Sequence, residues 1–207
     1  MFRGPNLARV EIGTIFYPPD RQAWHTWLDA NHATEDEIWV KRYLKATGVP
    51  TISYDDLVEE CLCFGWIDGV IKKTEPESNV QRVTPRRKHS FLSELNRQRV
   101  WKLEREGRMT DPGRAALGEQ VGAPEEPELP DWMEAALRAD AQAWDHWTQF
   151  PLFYRRLKVG WITEPKGPSR QGERDRRLAH LVARTAEGRR YGTEPLRGVL
   201  YEVDHTE

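Results

Sequence analysis

Residues 53 to 73, SYDDLVEECLCFGWIDGVIKK, change periodicity once, and that change limits what the chain can fold into. Tyr54, Leu57, Val58, Cys61 and Leu62 recur at helical spacing, with Asp55, Asp56, Glu59 and Glu60 between them. Ser53 stands where an N-cap belongs, with Asp56 three residues on. The acids near the helix start suit its positive end. Gly65 is placed to end the helix in a left-handed conformation. From Trp66 the pattern alternates, so WIDGVIKK reads as a strand. Strict alternation puts Ile67, Gly69 and Ile71 toward the core. It puts Trp66, Asp68, Val70 and Lys72 on the other side, toward a cleft or solvent. VQRVTP, 80 to 85, reads as a second strand, antiparallel to the first.

The cysteines of this stretch invite a metal or disulfide reading, and helix geometry argues against it. Residues two apart on a helix point to nearly opposite sides. Cys61 and Cys63 are therefore expected as packing residues, since a buried thiol behaves as a small hydrophobe. His25 and His32 lie two turns apart, too far to share one metal ion without another ligand between them. No GxSxG, HExxH, P-loop or GxGxxG pattern occurs. No catalytic residue, metal site or cofactor is assigned.

Around this centre, Asp20 is expected to cap a helix carrying Trp24, Trp27 and Leu28, and EIWVKRYL, 37 to 44, reads as a strand. Ser90 or Ser93 is expected to cap a helix ending at Gly107, and Thr110 a short one after it. GAPEEPELP, 122 to 130, reads as a Pro/Glu linker. Beyond it, DWME suggests a capping box, Asp140 a further cap, and ERDRRLAHLVART a basic helix with Leu178, Leu181 and Val182 docked on the protein. The expected fold is α+β. Residues 1–121 form a small antiparallel sheet packed with helices, 131–190 a helical subdomain, and 191–207 a loose tail. Nine tryptophans offset an apolar content of only 38%. No apolar run is long enough to span a membrane, and with no apolar leader the expected location is the cytoplasm.

Charge is uneven along the chain. Residues 82–114 carry 10 bases against 4 acids, and residues 151–190 carry 11 against 4, with an acidic stretch between. These basic segments form either one positive face for anionic partners or solvated helices. Trp66, Asp68, Gln81, Arg82, Thr84, Arg86, Arg87, Ser90, Ser93 and Asn96 make up the candidate ligand-binding surface. Arginines beside a helix N-terminus suit a small anion. The competing reading has Asp68 pair with Arg82 or Arg86 to fasten the sheet. A protein partner at this surface, nucleic acid on the basic segments, and an enzyme using Asp68 as acid or base are the alternatives.

The strings PTISYDDLVEECLCFGWIDG, QRVTPRRKHSFLSELN and LEREGRMTDPG resemble the YdeI/OmpD-associated, or bacteriocin-protection, family from Trp24 to Gly113. WITEPKGPSR and RDRRL continue the resemblance more weakly, like that family's C-terminal helical region. Leu92 stands where the family usually has tryptophan, and Pro165-Lys166 where it has Ala-Lys. The resemblance implies a setting of stress and of tolerance of antimicrobial peptides and bacteriocins, and the residues suggest a non-catalytic binding role within it.

Overall fold

The computed structural model describes residues 11–88, 90–122, 125–164 and 167–192. Among these residues, four strands and eight α-helices make a mixed α/β chain with a helical C-terminal region. The chain divides into two compact units, and the division falls within one helix. Residues 1–91 and 103–120 form the first, residues 92–102 and 121–207 the second.

The first unit is built on strands β1 (Ile15–Phe16), β2 (Ile38–Tyr43), β3 (Trp66–Glu75) and β4 (Ser78–Pro85), in the order β1-β2-β4-β3. β1 runs parallel to β2, and the other pairs are antiparallel. Helices α1 (Arg21–Asn31) and α2 (Tyr54–Cys63) start at the expected caps. The Asp20 carboxylate accepts from the Ala23 N–H and the Ser53 hydroxyl from the Asp56 N–H. Gly65 leaves α2 at φ +73°. An aromatic row runs through this unit. Trp24 stacks on Trp27 with ring centroids 5.2 Å apart, and Trp27 meets Trp66 edge-on at 5.7 Å. The Trp24 indole donates to the Leu57 carbonyl and the Trp66 indole to that of His32.

The faces of β3 are the reverse of the alternating reading. Trp66 is buried at 1% exposure, whereas Ile71 is 51% exposed. Asp68 pairs with Val83 but Ile71 pairs with Gln81, so three residues of β3 span two of β4. This bulge at Gly69-Val70 carries Ile71 to the face of Asp68. A Cβ added at Gly69 would meet the Arg82 carbonyl oxygen at 3.4 Å, an ordinary contact.

α2 is buried from Leu57 through Cys63, its acidic side included. The sequence pattern implies a separate acidic face, but Glu59 and Glu60 are each only 3% exposed. Arg21 from α1 reaches Asp56, Glu59 and Glu60, with its Nε 2.5 Å from Glu60. Arg108 reaches Glu59 at 3.2 Å and Glu60 at 3.0 Å. His25 Nδ1 lies 2.7 Å from Glu60. The C-terminal end of α2 meets helix α4 (Asp111–Leu117), capped by Thr110, whose hydroxyl also donates to the Cys63 carbonyl. A Cβ on Gly113 would lie 2.1 Å from that same carbonyl oxygen. Both cysteines are free and buried, as expected.

The second unit holds residues 92–102 of α3 (Glu94–Arg105) with α5 (Asp131–Arg138), α6 (Ala141–Gln149), α7 (Leu152–Thr163) and α8 (Gln171–Ala186). Met133, Leu137, Trp147, Tyr154, Ile162 and Leu181 form its core, with Leu178 and Val182 packed against them. Asp140 caps α6 by accepting from the Gln142 and Ala143 N–H groups. The expected capping box at Asp131 is absent. Pro130 holds the cap position without a side-chain bond, and Asp131 lies inside the first turn. α7 is separate from α6, because the chain extends at Phe150-Pro151. Most of the 191–207 tail lies outside the described residues, and no described helix is long and apolar enough to cross a membrane.

This packing has measurable consequences. Glu60→Ala leaves Arg21, Arg108 and His25 short of a partner and should lower unfolding free energy by about 2–3 kcal/mol, read from urea denaturation. The Glu60→Ala/Arg108→Ala double variant should lose less than the sum of the single losses. Gly113→Ala should cost about 3 kcal/mol or more through overpacking in the same measurement. Burial pushes the Cys63 thiol from 9.0 up to about 12 and raises Cys61 as well. In that window the unfolded chain ionises Cys63 while the folded chain keeps the proton. Stability should therefore fall as pH rises above 9.0. The native thiols should resist an aromatic disulfide reagent that titrates both in denaturant.

Candidate functional site

Antiparallel partners point to the same face of a sheet. The register pairs Arg42 with Asn79, Val40 with Gln81, and Val83 with both Ile38 and Asp68. Arg42, Gln81 and Asp68 therefore share the face that carries Trp66. Tyr54, the first residue of α2, reaches the same point. Its hydroxyl donates to Asp68 Oδ2 at 2.9 Å, and the Gln81 amide donates to that same oxygen at 2.8 Å. Gln81 is buried, and its carbonyl oxygen accepts from Arg42 Nη2 at 3.1 Å. The Arg42 guanidinium also lies over the Tyr54 ring, 5.4 Å from its centre. One hydrogen-bonded chain thus runs from Arg42 through Gln81 to Asp68 and back to Tyr54.

Arg86 approaches Asp68 from the end of β4. Its backbone N–H donates to the Gly65 carbonyl at 2.8 Å, and its Nη1 donates to the carbonyls of Ser90 at 3.2 Å and Phe91 at 3.3 Å. Its side chain is largely buried. Burial pushes the pKa of both Arg42 and Arg86 down, and the nearby Asp68 charge works against that shift in each. Neither arginine forms an ion pair among the described residues. The Nε of each is buried with no hydrogen-bond partner there. Asp68 and Arg42 are half-buried, and Tyr54 is 44% exposed, so the cluster opens to solvent on the Tyr54 side.

The structure brings together Asp68, Gln81, Arg86 and Ser90 from the residues singled out in the sequence. Trp66 is committed to the core. Arg82 and Thr84 lie on the other face of β4, and Arg82 pairs with Glu37, which also accepts from the Trp39 indole. Asp68 is therefore not fastened by Arg82. Arg87 is exposed in the turn after β4. Ser93 and Asn96 belong to the second unit. There the Ser93 hydroxyl caps α3 by accepting from the Asn96 N–H, and Asn96 accepts from Arg99. His89 lies outside the described residues. Sequence reasoning missed Arg42 and Tyr54. Arg42 becomes legible only once β2 is registered against β4. Tyr54 was read as part of the apolar stripe of α2, although its place in the first helical turn is the signal that its hydroxyl could reach past the helix end.

The basic segments carry many internal ion pairs. Arg108 and Arg114 pair with Glu59, Glu60, Glu104, Glu106 and Asp111 in the first unit. In the second, Arg156 pairs with Glu94 and Arg155 with Glu126 of the Pro/Glu stretch, while Arg177 and Arg184 pair with Glu173 and Glu187. No group of three or more His, Cys, Asp or Glu among the described residues is arranged to hold a metal ion.

Comparison with known proteins divides the chain in two. Residues 16–116, with the whole Arg42–Tyr54–Asp68–Gln81–Arg86 cluster, match a domain of unknown function (DUF8412). Residues 126–188 match the model described as bacteriocin-protection, YdeI or OmpD-associated. No curated protein and no solved structure matches the chain. The resemblance read from the sequence is thus carried by the C-terminal helices rather than by the GWIDG and TPR segments. Through α5 to α8, the chain is similar to the bacteriocin-protection, YdeI or OmpD-associated family.

Proposed function

We propose that the chain is a non-catalytic binding protein whose first unit takes a small anionic ligand beside Arg42, Asp68 and Arg86. One observation carries this reading. Two partly desolvated guanidinium groups share the field of a single carboxylate, and each keeps a buried Nε donor without a partner among the described residues. Desolvating a cation without pairing it is costly, and an anion entering beside Arg42 would relieve that cost. Arginine also suits the task, since its planar fork matches carboxylate and phosphate oxygens. The stress or antimicrobial-peptide tolerance setting is inferred from the family of the C-terminal helices, and the ligand would act within it.

The ion pairing of the basic segments weighs against nucleic acid, which needs free cations along a strand. Asp68 as a general acid or base also has less support, because both protein donors already hold its Oδ2. Thermal unfolding tests the proposal. Acetate, sulfate and phosphate should each be compared with chloride at matched ionic strength. At a hundredfold excess over Kd, a ligand that binds only the folded state adds about 2.7 kcal/mol. At least one anion should raise the melting temperature of the wild type and lose that effect in Arg42→Ala. Equal melting temperatures in all four salts would remove the proposal.

A further inference from the structure

The charges of the site define its ligand more narrowly, on the footing of the anion-binding reading above. Arg42, joined to Asp68 through Gln81, and Arg86 bring two positive charges, and each feels the one negative charge of Asp68. The balance matches a monoanion. A dianion would leave its second charge facing Asp68 in a half-buried setting, where like charges repel more strongly than in water. Lys73 shares this face through its pairing with Asn79, but its side chain is exposed, so solvent screens it.

Asp68 also asks for a donor. A carboxylate offers about four lone-pair sites. Both protein hydrogen bonds reach Oδ2, and Oδ1 accepts none among the described residues. The ligand therefore meets donors on the Arg42 side and an acceptor at Asp68. Ile71, on the same face and 51% exposed, adds an apolar surface next to Gln81.

We propose that the ligand is a small carboxylate with a hydroxyl on the neighbouring carbon, a 2-hydroxy acid, and that Asp68 excludes phosphate dianions. The carboxylate lies against Arg42, and the hydroxyl group donates to Asp68. Removing the charge of Asp68 reverses the preference between carboxylate and dianion.

Calorimetric titration of the full chain with glycolate, acetate and inorganic phosphate tests this, at a mildly alkaline pH where phosphate is mostly dianionic. Glycolate should bind the wild type about tenfold more tightly than phosphate, and more tightly than acetate, which lacks the donor. In Asp68→Asn, checked for native circular dichroism, phosphate should gain about tenfold and overtake glycolate. The wild-type ranking is decisive even if that variant fails to fold. Phosphate equal to or tighter than glycolate in the wild type overturns the inference and leaves an anion site of another class. Acetate equal to glycolate overturns the donor at Asp68. Binding of none of the three overturns the inference. If sulfate is then also without effect on unfolding, the anion site itself falls.

Discussion

Glu59 and Glu60 lie side by side on α2, nearly removed from water, and the first unit depends on their neutralisation. Two adjacent carboxylates in such a place would each carry a large desolvation penalty. Arg21 and Arg108 come from opposite ends of the unit's sequence to meet them, and His25 adds a third nitrogen to Glu60. With that charge satisfied, α2 can be enclosed on every side. Its apolar residues pack under the sheet, its acids bind α1 and the segment after α3, and its last carbonyls lie against Gly113 of α4. Ion pairs and apolar packing share one helix here, and neither alone would bury it.

The enclosure of α2 also creates the candidate site. A helix fixed over the sheet holds the Tyr54 hydroxyl 2.9 Å from Asp68. Asp68 follows Trp66 onto the covered face by ordinary alternation, and the bulge at Gly69-Val70 then turns Ile71 onto the same face farther along, where it is open to solvent. Asp68 thus stands at the border between core and exterior. Arg86 and Arg42 reach it from two different strand ends, each losing water without gaining an ion pair among the described residues.

In the second unit, charge works differently. Its many arginines are taken up locally by Glu94, Glu126, Glu173 and Glu187, so the basic composition of α7 and α8 does not translate into an equally basic surface. Glu126 shows that the Pro/Glu stretch supplies a counter-charge to α7. The core beneath is a row of apolar positions at helical spacing, Leu178, Leu181 and Val182 among them. The family match falls on these helices, whereas the site residues fall in the domain without an assigned function.

Local signals set much of this protein from the sequence alone. Asp20, Ser53, Thr110 and Asp140 act as caps because a short side-chain acceptor needs only its own next few N–H groups. Gly65 and Gly107 end their helices because only glycine enters the left-handed region cheaply. The β3–β4 hairpin, the buried thiols and the α+β class were legible for the same reason. The place of Ile71 on β3 was not, because a bulge depends on the partner strand's register rather than on the strand's own pattern. The burial of Glu59 and Glu60 was not, because their counter-ions lie about forty residues upstream and nearly fifty downstream. Of the ten residues singled out on the hairpin and the segment after it, Asp68, Gln81, Arg86 and Ser90 lie together in the structure. Arg42 and Tyr54 were missed because strand order and helix docking are long-range matters. Sequence determined which elements form and where they stop. Tertiary structure decided which charges meet, since Coulomb energy depends on distance and dielectric, and both are set only when the chain is packed.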